Sequence, residues 1–160
     1  MSVTNEEFRA ALGRFASGVT VVTTRDRAGN LHGITVSAFS SVSMNPPLVL
    51  ICIEKTTGSH HAFVESGVFV VNILSADQRE VSNQFAFKHE NKFDGIRYRL
   101  NDLDLPVLEG CLANLDCRVV KNYEGGDHTI FVGEVLGTSI AENDPLIYWM
   151  GAYRVDSYQP

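Results

Sequence analysis

The amino-acid sequence predicts a mainly β fold, a closed or partly closed antiparallel barrel with a few short helices at its periphery. Three observations support this class. Short apolar, β-branched segments recur at hairpin spacing, turn-forming residues separate them, and helical periodicity is confined to a few brief stretches. With 160 residues, of which 44% are hydrophobic and 20% charged, the chain is expected to form one domain over residues 1–160.

The first predicted element is an amphipathic helix. Thr4 and Glu7 form a capping-box pattern, and Gly18 offers a stop. Between them, apolar residues follow at helical spacing: Phe8, Ala11, Leu12 and Phe15.

Apolar and β-branched segments of strand length come next, at residues 19–24, 31–36, 48–54, 68–74, 111–122 and 129–140. Turn-forming residues at 26–30 and 124–127 join the first and the last pair as hairpins. A short helix is expected over 60–66.

A further helix is expected after Ser75, which Gln78 follows at capping-box spacing, with Val81 and Phe85 on one face. The aromatic tail at 146–153 either closes the barrel or packs on a partner subunit.

A hydroxyl-rich stretch lies between Gly33 and Pro47. Hydroxyl residues occupy odd positions and apolar residues even ones: Thr35, Ser37, Ser41 and Ser43 against Ile34, Val36, Ala38, Val42 and Met44. On one strand of period two, the short hydroxyls share a face that suits a planar heteroaromatic ligand. A half-exposed strand with Ser and Thr toward solvent explains the same pattern.

The turn at 55–59 has the composition of an anion site. The Lys55 charge, the hydroxyls of Thr57 and Ser59 and the free N–H groups of a helix start favour a phosphate. An ordinary helix cap by Thr57 or Ser59 is the alternative. In a meander this turn lies near the hydroxyl-rich strand, so one ligand could reach both.

The second candidate site is the turn at 125–128, where two glycines allow close backbone approach to His128. His128 either stacks on or hydrogen-bonds a ligand, or is a surface residue of the turn. No second histidine stands at metal-ligand spacing from it. The adjacent His60 and His61 diverge on any regular element, so no metal site is predicted.

Composition and missing motifs argue against several classes. A net charge of −6 and a pI near 5.3 argue against nucleic-acid and anionic-membrane partners. The phosphate-binding and nucleophile motifs of Rossmann, P-loop and serine-hydrolase proteins are absent. Cys52, Cys111 and Cys117 lack Cys-x-x-Cys spacing and are expected to be reduced packing residues. The polar start lacks a signal-peptide pattern, so a cytoplasmic location is expected.

Seven motifs follow one another along the chain: Gly33-Ile34-Thr35 through Ser43 with Pro46-Pro47-Leu48, Phe69-Val70-Val71-Asn72-Ile73-Leu74, Gln84-Phe85-Ala86, Lys92-Phe93, Leu105-Pro106-Val107-Leu108-Glu109-Gly110, Leu115-Asp116-Cys117 and Gly126-Asp127-His128. In this order and spacing they resemble the short flavin reductases of two-component monooxygenases, from Phe8 to about Tyr153. The resemblance implies a split antiparallel β-barrel homodimer that binds FMN or FAD near the subunit interface. It also implies oxidation of NADH or NADPH and diffusion of reduced flavin to a separate monooxygenase.

The resemblance implies a role for each matching residue. Thr35, Val36, Ser37 and Ala38 line the isoalloxazine ring, and Ser43 and Pro46 shape its wall. Thr57 and Ser59 contact the phosphate, with supplementary charge from Lys88 and Lys92; Lys55 is assigned there from the composition of the turn alone. Gly126, Asp127 and His128 lie on the nicotinamide side, and Tyr153 completes the cofactor contacts. Val36 departs from the family, which usually has a small residue there.

Hydride transfer between two stacked rings needs no catalytic triad, because the cofactors carry the chemistry. The expected roles are therefore positional: His128 positions the nicotinamide, and Asp127 orients the imidazole or the adjoining loop. Two alternatives remain, an oxidase of the same fold with tightly held FMN, and a non-catalytic flavin-binding or storage module.

Overall fold

The structure is a computed structural model that describes residues 2–87 and 90–154. Within them the α-helices are α1 (Asn5–Leu12), α2 (His60–Ser66) and α3 (Arg79–Ala86). The strands are β1 (Ser17–Gly18), β2 (Thr20–Arg25), β3 (Leu31–Val36), β4 (Phe39–Met44), β5 (Pro47–Glu54), β6 (Val68–Ile73), β7 (Tyr98–Leu100), β8 (Pro106–Leu108), β9 (Ala113–Gly125), β10 (His128–Ile140), β11 (Ile147–Trp149) and β12 (Ala152–Arg154). No helix in the described ranges is long and apolar enough to cross a membrane.

A seven-stranded antiparallel sheet forms the body of the molecule, in the order β3-β2-β6-β9-β10-β5-β4. β3 and β4 stand at its two margins, yet only Ser37 and Ala38 separate them along the chain. The sheet therefore has to curl until its margins meet. At the join, the Ala38 carbonyl accepts a hydrogen bond from the Cys52 N–H of β5 at 3.1 Å. The predicted mainly β, antiparallel barrel is confirmed.

The hydroxyl-rich stretch is two strands, and its interpretation as one strand was wrong. β3 ends at Val36, β4 begins at Phe39, and the register of β4 against β5 shifts between Ser41 and Ser43. A single strand cannot lie at both margins of one sheet, so barrel closure requires the break. The hydroxyls of Thr35 and Ser43 consequently belong to different margins.

The first helix is shorter than its apolar spacing predicts. The capping box of Thr4 with Glu7 is present, but α1 ends at Leu12 and Phe15 lies beyond it. Ser17–Gly18 then pairs with the tail as β1. Together β1, β11 and β12 make a separate three-stranded sheet, so the tail adds no strand to the seven-stranded sheet.

The barrel interior is filled by apolar side chains from the sheet and from α2. Its buried members include Val22, Val36, Ile51, Ile53, Phe63, Phe69, Val71 and Phe131. A second cluster packs α3 against the outside of the sheet, with Phe85 at its centre. The two clusters pack on opposite faces of β3 and hold this strand in position. The candidate site lies beside it.

Candidate active site

A cleft of about 940 Å³ opens beside β3. Its walls are residues 31–34 of β3, the turn at 56–59 that follows β5, and the end of α3 at Ala86 with residues 87 and 90–93 beyond it. β3 and β5 are not neighbours in the sheet, and the curl of the sheet brings them together. Ligand pockets usually enclose roughly 300–1,000 Å³, so this cleft can hold a nucleotide-sized molecule.

Gly33 allows α3 to approach the β3 backbone directly. A Cβ at this position would lie 2.5 Å from Cε1 and 2.7 Å from Cδ1 of Phe85. The Phe85 ring is fully buried and packs edge-on against Phe93, with 5.0 Å between ring centroids. The Phe85 ring therefore covers the Cα of Gly33, and α3 packs directly on the β3 backbone beside the cleft.

The turn after β5 contributes two hydroxyls near one another in the chain. Thr57 Oγ1 donates to the Glu54 carbonyl at 3.0 Å. Ser59 precedes α2 as its N-cap residue, but its side chain makes no capping hydrogen bond. Both residues line the cleft. The ordinary side-chain cap by Ser59, one of the two alternatives for this turn, is not formed.

The three lysines expected near a phosphate differ in position. Lys92 lines the cleft, half-buried, and its ammonium donates to the carbonyls of Phe85 at 2.8 Å and Gly33 at 3.3 Å. Burial lowers the pKa of Lys92. Lys55 Nζ instead contacts the Glu124 carboxylate and donates to the Gly126 carbonyl at 2.8 Å. Lys88 lies outside the described residues.

The turn between β9 and β10 holds the His128 imidazole. Gly126 has φ of 73°, the left-handed region that glycine adopts without strain. His128 Nδ1 lies 2.7 Å from Asp127 Oδ1. This hydrogen bond, more than the charge of the imidazole, lowers the pKa of Asp127. His128 pairs with Glu54 across the β10–β5 ladder, and Glu54 lines the cleft, so the turn borders the cleft rim.

Thr35 and Tyr153 are joined through a residue that the sequence reasoning missed. Thr35 Oγ1 donates to the Ser82 carbonyl at 2.6 Å, and Ser82 Oγ shares a hydrogen bond with the Tyr153 hydroxyl at 2.8 Å. Ser82 is buried on α3, one turn before Phe85. Ser82 lies three residues before the apolar Phe85, so the sequence could have placed this polar side chain on the packed face of the helix.

All six expected ring contacts lie outside the lining of the cleft: Thr35, Val36, Ser37, Ala38, Ser43 and Pro46. Val36 is only 5% exposed and packs in the barrel core, whereas Ser37 and Ala38 are exposed in the link between β3 and β4. Ser43 accepts a hydrogen bond from Asn45 N–H at 3.2 Å.

Pro46 and Ser43 lie near the start of β5, whose other end at Glu54 borders the cleft. Seven strand steps of about 3.3 Å separate the ends of β5, roughly 23 Å in all. Within a single chain, Ser43 and Pro46 are therefore too far from this cleft to line it.

Comparison with known proteins gives consistent matches over nearly the whole chain. The family model described as flavin reductase like domain matches residues 12–155. FMN reductase (NADH) SmoA of Agrobacterium fabrum is 43% identical over 149 residues, 93% of this chain and 84% of its own. The flavin-dependent monooxygenase reductase subunit HsaB of Rhodococcus jostii is 40% identical, over 91% of this chain and 75% of its own.

A solved structure agrees with these matches. The NADH:FAD oxidoreductase SgcE6 of Streptomyces globisporus, in complex with NAD and FAD fragments, superimposes with a TM-score of 0.90 at 32% identity, covering 98% of each chain. The fold, the spacing of the seven motifs and these matches agree, and the chain belongs to the flavin reductase-like family.

Proposed function

We propose that this protein is an NADH:flavin oxidoreductase that transfers hydride from NADH, or NADPH, to FMN or FAD. The reduced flavin then leaves for a separate monooxygenase. The cleft beside β3 is the observation that carries the proposal, because it brings the Thr57 and Ser59 hydroxyls and the Lys92 amine together in a nucleotide-sized space. Two relatives support the same activity: SmoA is named an FMN reductase that uses NADH, and HsaB is named the reductase subunit of a flavin-dependent monooxygenase.

The residues of the cleft fit a flavin nucleotide. Residues 31–34 of β3 form one wall, and the expected ring contacts at 35–38 follow them directly along the chain, outside this lining. Ser59, which caps no helix through its side chain, and Thr57 can bind the phosphate with charge from Lys92.

Carboxylates moderate that binding. Asp26, Glu54 and Glu90 also line the cleft, and their negative charge opposes an anionic ligand. We therefore expect moderate flavin affinity, which suits a flavin that enters oxidised and leaves reduced. NADH and free flavin are cytoplasmic metabolites, and we propose that the protein works in the cytoplasm.

The bound flavin would supply the redox chemistry by accepting a hydride from the reduced nicotinamide. The chain's own residues bind and orient. Because the pKa of Asp127 is lowered, this carboxylate is ionised at neutral pH and accepts a hydrogen bond from the Nδ1–H of His128. Nε2 of His128 is thereby left to face the nicotinamide amide. Asp127 acts by fixing the imidazole.

Substitution of His128 tests this assignment. His128→Ala is expected to raise the KM for NADH or to slow hydride transfer by roughly tenfold or more, with flavin Kd unchanged. The matched variant Ser59→Ala should weaken flavin binding and leave NADH kinetics intact at saturating flavin. Stopped-flow and fluorescence titration separate the two effects. Unaltered NADH kinetics in His128→Ala would refute the role of His128.

Added flavin tests the proposed activity itself. A reductase that treats flavin as a substrate consumes NADH in proportion to the FMN or FAD supplied. A tight flavoenzyme purifies yellow and ignores the addition, and a storage module binds flavin without turnover. Either of the last two outcomes would contradict the proposal.

We also propose a homodimer whose interface includes the α1 surface, which we define as Phe8, Leu12, Phe15, Trp149 and Met150. α1 buries none of its residues, and Phe15 is 81% exposed. The indole N–H of Trp149 donates to the Arg14 carbonyl at 3.1 Å, which holds helix and tail together. Grouped apolar side chains of this kind are typical of interfaces.

A further inference from the structure

Three metal-ligating side chains converge at one rim of the cleft. They come from separate elements: Asp26 follows β2, His32 lies on β3, and His61 lies on α2. One ligand atom of each lies within 4.8 Å of the others, and all three residues line the cleft. Because His32 and His61 are 29 positions apart in the sequence, their convergence depends on the tertiary fold. We call this group the rim cluster.

The carboxylate of the rim cluster is held in place by its own turn. Asp26 Oδ1 accepts from Asn30 N–H at 2.9 Å, and Oδ2 accepts from the Asn30 side-chain amide at 2.9 Å. The Asp26 side chain is only 9% exposed. An ion at this position would therefore meet a carboxylate that is already oriented and partly dehydrated.

The His32 imidazole already lies close enough to the Asp26 carboxylate for both to approach one metal ion. His32 Nε2 lies 2.9 Å from Asp26 Oδ2. Two ligands of a tetrahedral zinc ion, each about 2.0–2.1 Å from the metal, lie about 3.3 Å apart. For an ion to bridge them, these two atoms must separate by about 0.4 Å and the imidazole must turn so that its ring-nitrogen lone pair faces the ion.

The second imidazole completes the group. The His61 ring stands edge-on to His32 with 5.1 Å between ring centroids, and its side chain is exposed near the start of α2. An exposed side chain can change rotamer at low cost, which brings a ring nitrogen toward the other two ligand atoms.

We propose that Asp26, His32 and His61 bind one late first-row divalent cation, such as Zn²⁺, with a fourth coordination position open to the cleft. Two imidazole nitrogens and one carboxylate oxygen suit these ions, whereas Mg²⁺ and Ca²⁺ prefer oxygen ligands alone. The ion adds two positive charges to a rim where Glu54 and Glu90 oppose an anion. Resting on the proposed function, we further infer that the ion strengthens binding of a flavin phosphate.

Cobalt titration tests the site without any assay of turnover. Tag-free full-length protein, stripped with chelator, is titrated with Co²⁺ while the visible absorbance is followed, and Zn²⁺ then displaces the cobalt. One equivalent is expected in the wild type. His61→Gln and Asp26→Asn should each weaken binding by roughly tenfold or more.

The matched control is His60→Gln. It makes the same change one residue away, where the imidazole contacts Thr129 Oγ1 at 2.9 Å instead of the rim cluster. This variant should bind cobalt like the wild type. Equal affinity in His61→Gln and wild type would overturn the site, as would absence of binding in the wild type at about 100 μM of either metal. Thermal melts establish that each variant is folded.

Flavin titration with and without Zn²⁺ tests the second inference. Zn²⁺ should lower the Kd of FMN several-fold and leave that of riboflavin, which has no phosphate, unchanged. An equal effect on both, or none on FMN, would contradict the phosphate role. If neither flavin binds in any condition, the proposed function fails while the cobalt result still decides the metal site.

Discussion

At the scale of single residues, burial determines the chemistry of the three cysteines. All are free thiols, as the sequence predicted, and Cys111 and Cys117 are buried. Burial raises the pKa of Cys111 to about 11 and that of Cys117 to about 12. It also raises the pKa of the half-buried Cys52. A protonated thiol is a poor nucleophile, so these side chains serve packing.

We expect these thiols to make stability fall as the pH rises above 9, the ordinary thiol pKa. In the unfolded chain Cys111 and Cys117 ionise near that pH, whereas in the folded chain their pKa values are raised to about 11 and about 12, so they keep their protons longer. The folded state then binds more protons, so raising the pH favours unfolding.

Urea unfolding at a series of pH values from 8 to about 10 measures this loss. Lysine and tyrosine residues also titrate there, so the comparison is between wild type and Cys117→Ala. The variant is less stable at every pH, but its free energy of unfolding should fall less steeply with pH. Parallel curves would contradict the assignment to Cys117.

Gly33 offers a second prediction, on packing. Alanine at this position places its Cβ 2.5 Å from the buried Phe85 ring, which cannot move away because Phe93 packs against it. Gly33→Ala should therefore cost about 1–3 kcal/mol of unfolding free energy.

The control for this variant is Gly18→Ala. A Cβ at Gly18 meets nothing within 4 Å, and the residue has no left-handed φ. Its unfolding free energy should stay within about 0.5 kcal/mol of wild type in urea. If both variants prove equally stable, the close approach of Phe85 to β3 is incorrect.

At the scale of elements, the features that could be predicted from the sequence are those that depend on residues close together in the chain. The bounds of α2 agree, and the capping boxes at Thr4 and Ser75 both form, because each depends on residues within one turn. The break between β3 and β4 was missed, since it arises from closure of the whole sheet. The rim cluster and the Ser82 link were missed for the same reason, because neighbours from distant elements create them.

One connection between elements shows how the site is held. The Lys55 N–H donates to the Asp127 carbonyl at 2.9 Å, and its ammonium bonds to Gly126 and pairs with Glu124. The hydrogen bond from Lys55 lowers the pKa of Glu124, which is ionised at neutral pH. Lys55 thus fastens the turn of His128 to the end of β5, and we expect it to act as a positioning residue.

Lys55→Met should therefore raise the KM for NADH several-fold and leave the flavin Kd unchanged, because the loosened turn misplaces His128. Glu124→Gln should produce a weaker form of the same defect. If Lys55 instead binds the flavin phosphate, Lys55→Met weakens flavin binding, and Glu124→Gln frees the ammonium and tightens it. Steady-state NADH kinetics and flavin fluorescence titration of the two variants distinguish these roles.

At the scale of the whole molecule, the cleft exists because the sheet is curled. Residues 31–34 belong to one margin, and the turn at 56–59 follows the strand next to the opposite margin. The same curl leaves α1 and the tail outside the barrel, with apolar side chains that nothing in the described part of the chain covers. We propose that a second copy of the chain covers them.

The dimer prediction rests on that surface. Leu12→Glu changes a side chain that is 56% exposed, so a single chain tolerates it, whereas a dimer would bury an unpaired charge at its interface. The matched control is Val64→Glu on α2, where the side chain is 52% exposed outside the α1 surface. Light scattering after size exclusion should give twice 17.6 kDa for wild type and control, and 17.6 kDa for Leu12→Glu. A monomeric wild type, or a Leu12→Glu variant that remains dimeric, would show that α1 does not form the interface.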